Sequence, residues 1–182
     1  MKKKLINVLM PAILTAALML ITFASHAQYK TKTIGNKPRS GSANSSLDVV
    51  KGRQAGVKMN AGHRPVQLLQ LNFDAESLSK DSLKFKVNVY QFNDTIPGEN
   101  LIKQDIIGSL PYGKNRVSVN LEPYNVKVSG HILVAIEWLE TKNADNHFAI
   151  GLFNGGSYYF KSNKWKKIPV AGLDFNMLVR KG

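Results

Sequence analysis

Apolar and polar residues alternate with a period of two along most of this chain. In Ser82–Phe92, Leu83, Phe85, Val87 and Val89 fall on one face, and Lys84, Lys86 and Asn88 on the other. That pattern belongs to a strand packed on one side and wetted on the other. Arg116–Leu121 repeats it with Val117, Val119 and Leu121 inward, and Leu173, Phe175, Met177 and Val179 point one way near the end of the chain. Further strands are predicted at Ala55–Met59, Val66–Phe73, Leu101–Ile107, His131–Glu140, Phe148–Phe153 and Ser157–Lys161, the last running Leu173–Val179. Turn signals separate them: NAGHRP, NDTIPGEN, LPYGKN, NVKVSG, TKNADN, FNGGS and IPVAG. Beyond the N-terminal apolar run, no long stretch carries a helical stripe. The pattern predicts an all-β fold: an antiparallel two-sheet β-sandwich, a jelly roll, with a small barrel as the alternative.

The N-terminus follows a different rule. Three lysines precede an apolar stretch from Leu5 to Phe23, and Ser25-His26-Ala27 supplies the small residues a signal peptidase reads. Residues 1–27 are therefore expected to be a signal peptide cleaved before Gln28. Pro11 and Thr15 interrupt the stretch, which argues against a membrane anchor. No transmembrane segment is expected after cleavage. The chain has no cysteine, which excludes disulfides and a diacylglyceryl anchor on cysteine. Residues 28–46 are polar and rich in Gly, Ser and Lys, and are expected to be a flexible leader. Residues 47–182 form the single expected domain, ending directly after its last strand with no appended sorting domain. The expected location is the periplasm, the cell surface or the exterior.

Charge narrows the partners. Loss of Lys2, Lys3 and Lys4 with the signal peptide lowers the formal net charge from +13 to +10. A basic exported protein is attracted to anionic surfaces or glycans, or is simply kept soluble. Nucleic acid is the weaker partner, because the lysines are scattered and no zinc-finger, helix-turn-helix or glycine-loop signature accompanies them.

One residue breaks the most apolar strand, GHILVAIEWLE. Counting by twos puts Ile132, Val134, Ile136, Trp138 and Glu140 on the core face, and His131, Leu133, Ala135, Glu137 and Leu139 on the other. Glu137 thus sits on a partly apolar second face beside small Ala135, where a shallow hollow is expected. A carboxylate there needs a cation or several donors. A structural anchor is the first reading, a ligand contact the second and catalysis the third. Glycoside hydrolysis needs a second carboxylate across the scissile bond. Glu140 points away, and Asp105, Glu122, Asp145 and Asp174 could approach only through the fold.

Other chemistry is sparse. His63, His131 and His147 are far apart, so no zinc site is expected. No calcium-loop spacing and no nucleophile elbow occur. No catalytic residue, metal or cofactor is therefore assigned. The segment GGSYYFKSNKW places Tyr158, Tyr159, Phe160 and Trp165 beside Lys161, Lys164, Lys166 and Lys167. Most of these rings belong to the core, but one tyrosine or Trp165 could form a platform for a sugar ring. Glu137, Tyr159 and Trp165 are the candidate ligand contacts.

Several stretches also carry a resemblance: the PGENL turn (Pro97 to Leu101), Val117 to Tyr124, AIEW (Ala135 to Trp138), and late Trp165 before a terminal strand. Across nearly all of the chain after residue 27, it resembles a β-sandwich module of exported Bacteroidetes proteins, often found downstream of a carboxypeptidase-like regulatory domain. The resemblance implies a fold and a compartment, and no catalytic residues. The function expected is a non-enzymatic binding or accessory module at the cell envelope, with a glycan or an envelope protein as partner. The alternatives are a hydrolase acting on polysaccharide or cell wall, and a structural envelope protein.

Overall fold

The computed structural model describes residues 30–37, 44–93, 95–143 and 145–181. The expected signal peptide lies outside them. Residues Thr31–Gly182 form one compact unit, whose core among the described residues runs from Ile34 to Val179.

The spine is a single strand, β3 (Gln54–Ser77), of 24 residues. The expectation had split it into two strands around NAGHRP. The turn signal there marks a kink: Gly62 sits at φ 91°, its amide donates to Asn60 Oδ1 at 2.9 Å, and the ladder slips on either side of it. A positive φ suits glycine, and slipped registers of this kind bend a strand without ending it.

On one edge, β3 pairs first with β8 (Lys127–Trp138) and then with β7 (Gly113–Asn120). On the other edge it meets β10 (Ser157–Lys161), β13 (Asn176–Lys181) and β9 (Asn146–Leu152) in turn. β4 (Leu83–Asn93) flanks β8, and β5 (Ile96–Asn100) and β6 (Ile106–Leu110) flank β4. β11 (Lys164–Ile168) closes a hairpin with β10, and β12 (Ala171–Leu173) pairs with β9. Every pairing is antiparallel, and the only helical turn among the described residues is a 3₁₀ turn at Glu122–Tyr124.

The all-β antiparallel class is what the alternation predicted. The ladders do not divide into two separate sheets, because β3 belongs to both halves of one connected, 13-stranded sheet. The halves face each other across aromatic rings. Phe73, from the second half of β3, lies 5.6 Å from Phe85 on β4, 5.9 Å from Phe148 on β9 and 4.8 Å from Phe175. All four are fully buried, each worth roughly 2–3 kcal/mol of apolar burial.

Several boundaries differ from expectation. The segment taken as a flexible leader contains β1 (Thr31–Gly35), paired with β13, and β2 (Asn44–Ser46), paired with β9. Polar edge strands need only one ladder, so their composition hid them. Leu101–Ile107 is not a strand over its first part. Its neighbours on either side form β5 and β6 instead, and Asn100 caps the intervening loop through Ile102 N at 3.0 Å. The stretch Leu173–Val179 breaks at Asp174–Phe175 between β12 and β13. Asn146, expected in a turn, opens β9.

Candidate functional site

The register brings one row of side chains across the outer face of the first half. Trp165 pairs with Phe160, Phe160 with Gln54, Gln54 with Glu137, and Glu137 with Lys86. Cross-strand partners share a face. The next row runs Lys167, Tyr158, Gly56, Ala135 and Asn88, and a third contains Lys58, Leu133 and Tyr90. The expected second face therefore exists, but it is drier than a wetted face. Leu133 and Ala135 are fully buried, and Phe92, Leu133 and Tyr158 form a small core of their own, with Tyr90 and Trp165 packed against it.

The cover comes from the β10–β11 hairpin. β11 lies four strands from β4, which in a flat sheet would separate their backbones by about 19 Å. Yet Trp165 meets Tyr90 edge-to-face at 5.7 Å, and Tyr158 meets Phe92 at 5.1 Å. This edge therefore curls over the outer face. Gly56 and Ala135 stand in the middle of the second row and are packed closely, since a Cβ on Gly56 would fall 2.7 Å from that of Ala135; the hollow expected beside Ala135 is filled. Lys58 stands over Phe92 at 4.7 Å and Lys167 over Tyr158 at 5.9 Å.

Glu137 is held from two sides. Asn88 Nδ2 donates to its Oε2 at 2.8 Å, and Lys86 Nζ lies 3.7 Å from the same oxygen. Lys86 is also 3.7 Å from Asp105, so Asp105 shares the lysine that holds Glu137. Asn88 is 1 % exposed. It also donates to Gln54 Oε1 at 3.2 Å and accepts from Asn100 Nδ2 at 3.0 Å. Tyr90 OH donates to Gln54 Oε1 at 2.9 Å. Burial raises the Tyr90 phenol above its ordinary pKa, Gln54 opposes that shift and the Glu137 charge adds to it. The phenol therefore stays a donor.

The result is a polar ladder, Gln54–Glu137–Asn88–Asn100, walled on one side by the rings of Trp165, Phe160 and Tyr90. An open cleft of ≈ 490 Å³ lies at its edge, lined by Gln54, Glu137, Phe160 and the turn at Ser162–Asn163. Of the three expected contacts, Glu137 and Trp165 belong to this face. Tyr159 does not. It turns to the opposite side of β10, packs against the main core, and lines a separate groove with Trp138 and Arg53. Gln54, Asn88 and Tyr90 were missed. The only sequence signal for them was Asn88 and Tyr90 standing opposite Val87 and Val89.

The outer face of the second half carries a different cluster. Arg116 Nη1 lies 2.8 Å from Asp74 and 3.2 Å from Asp174, beside a cleft of ≈ 460 Å³ lined by Asp74, Glu76, Lys114, Arg116 and His147. Asp174 is 2 % exposed. Burial, then its hydrogen bond with Asp74, pushes its carboxyl up to about 7 against the opposing pull of Arg116. The remaining acids considered beside Glu137 lie elsewhere; Glu122, for one, pairs with Arg180. Among the described residues, no group of three or more His, Cys, Asp or Glu could hold a metal, and no helix is long and apolar enough to cross a membrane.

No family model matches this chain, and no curated protein does. Solved structures do. One holds the cysteine protease and lectin-like domains of Cwp84, a surface layer associated protein of Clostridium difficile: TM-score 0.54, 10% identity, 80% of this chain and 37% of that one. Another is the clostridial cysteine protease Cwp84 after propeptide cleavage: TM-score 0.59, 12% identity, 84% of this chain and 40% of that one. This chain thus spans well under half of their length, and the likeness is one of fold.

Proposed function

We propose that this chain is an exported, non-enzymatic accessory module of the cell envelope whose curled outer face binds a glycan. The observation that carries the reading is the alignment of Trp165, Phe160 and Tyr90 beside the Gln54–Glu137–Asn88 ladder. Sugar rings offer apolar faces that stack on aromatics and equatorial hydroxyls that need planar amides and carboxylates, and both lie side by side here. The fold likeness to a surface layer associated protein with lectin-like domains supports the same reading. We take the match to fall on the lectin-like part, since this all-β chain has no cysteine to act as a protease nucleophile. Export through residues 1–27 and kinship with the exported Bacteroidetes modules belong to the same proposal.

The engagement of Glu137 weighs against the hydrolase alternative. A general acid or nucleophile faces a second carboxylate across its substrate. Here Lys86 stands between Glu137 and Asp105, and Asn88 occupies the same Glu137 oxygen.

The test is a glycan array and an insoluble-polysaccharide pull-down with the protein from Gln28 onward, at low and physiological salt. Salt-resistant retention is expected, weakened at least tenfold, or about 1.4 kcal/mol, by Trp165→Ala. Retention that vanishes with salt, or that ignores Trp165→Ala, would sink the proposal.

A further inference from the structure

The loops at the β9–β10 and β11–β12 connections hold a concentration of apolar side chains that the core does not use. Phe153 is 86 % exposed and Leu152 53 %, and Ile168 and Val170 are also exposed. These four come from two neighbouring turns, LFNGGS and IPVAG, bound to each other. Phe153 N donates to Val170 O at 2.7 Å. Buried Ser157 bridges the base, its Oγ donating to Ala171 O at 2.7 Å and accepting from Leu173 N at 2.8 Å.

The tip is also tightly closed. Gly156, at φ 80°, leaves no space for a side chain, since a Cβ there would fall 2.5 Å from Ile168 O. At Gly172 a Cβ would fall 2.1 Å from Asn154 O. Phe153 itself sits at φ 59°, a region that costs a bulky residue energy and persists only where the surroundings impose it. The fold thus ties the Phe153 backbone to the neighbouring turn and leaves its ring in solvent, so less backbone ordering remains to be met when a partner arrives.

The surroundings say which partner. Between Asp145 and Asp174 the chain carries Lys161, Lys164, Lys166 and Lys167 and no carboxylate. Strand alternation puts Lys164 and Lys166 on the same face of β11 as Ile168, opposite Trp165. A sugar would find no hydrogen-bonding side chain among Leu152, Phe153, Ile168 and Val170. An interface of acyl chains beneath anionic headgroups matches both halves of the feature: apolar side chains for the one and lysines for the other.

We infer that the Leu152–Phe153 and Ile168–Val170 tip inserts shallowly into an anionic phospholipid surface, with Lys164 and Lys166 against the phosphates. The site lies on the opposite face of β11 from the Trp165 platform and does not depend on the glycan reading.

The experiment is co-sedimentation with phosphatidylcholine vesicles, with and without about 30 mol% phosphatidylglycerol, using the protein from Gln28 onward at roughly physiological salt. Pure phosphatidylcholine is expected to bind weakly and the anionic vesicles clearly. Phe153→Asp should lower partitioning at least tenfold with unchanged thermal unfolding. Lys164→Glu with Lys166→Glu should lower it and remove most of its salt dependence. A Phe153→Trp variant should shift its added emission to the blue and be quenched by brominated acyl chains. Absence of binding to anionic vesicles overturns the inference. So does partitioning of Phe153→Asp equal to wild type, which would reduce the effect to charge alone.

Discussion

The outer faces of the two halves solve the same problem in opposite ways. Each places a carboxylate on a strand face that the fold partly dries. On the first half, Glu137 is answered by a neutral amide and a lysine, and its neighbours Gln54, Asn88 and Asn100 are uncharged. On the second, Asp174 and Asp74 share one guanidinium, Arg116. Burial of Asp174, then the hydrogen bond with Asp74 beside it, outweighs the pull of that one cation, and the Asp174 carboxyl rises. The amide-rich face is flanked by rings, which suits the uncharged polar ligand proposed for it. The acid-rich face is a titrating element, and its cleft is the poorer platform because it lacks an aromatic wall.

The most severe way to break this comparison is to remove what the halves share. Phe73 touches rings from β4, from β9 and from Phe175. Phe73→Ala is expected to destabilise by about 3–5 kcal/mol, measured by urea unfolding. Near-UV signals from Trp138 on the first half should be lost together with protection of β9 amides on the second. Loss of one without the other would mean the halves fold as separable units.

The second way acts on the acid-rich face alone. Asp174 has a folded pKa near 7, raised from 3.8. Between those values the folded state binds the proton that the unfolded state has released, so stability must fall as pH rises. The contribution is complete below about pH 4 and is lost as pH passes through about 7. Unfolding followed from pH 4 to 8 should show this decline in the wild type and a flatter profile in Asp174→Asn.

What the sequence disclosed and what it hid divide along the same line of local against non-local. Leu83, Phe85, Val87 and Val89 were legible because alternation is a property of one strand, and all four are fully buried. The unity of β3 was hidden, because Gly62 and Pro65 signal a turn whether the chain reverses or merely bends. β11 was hidden because KWKKI, an edge strand exposed except at Trp165, has no apolar side to alternate. Glu137 and Trp165 were visible as oddities in their own segments. Gln54 and Tyr90 became partners only through the register of β3, β8 and β4 and through the curl of β10–β11, none of which a single stretch of residues encodes.

A milder change sharpens the recognition face. Tyr90→Phe keeps the ring against Trp165 and removes the donor to Gln54. It should cost about 1 kcal/mol of stability, and less in glycan retention than Trp165→Ala. If Tyr90→Phe instead abolishes retention, the phenol contacts the ligand directly and the ladder is part of the binding surface rather than its support.

The smallest expected effect is the most discriminating. Tyr159 neighbours Tyr158 and Phe160 in sequence, but strand alternation sends it to the other side of β10, against the main core. If retention depended on a general supply of aromatics and lysines in this segment, replacing any of its tyrosines would weaken it. If it depends on one face of the curled sheet, Tyr159→Phe should leave retention within twofold of wild type, roughly 0.4 kcal/mol. The ring stays in place, so its packing against the core is kept and stability should change little. Side-by-side isotherms of Tyr159→Phe and Trp165→Ala on one polysaccharide decide between the two. Equal losses would mean that composition, and not the geometry of the face, accounts for binding.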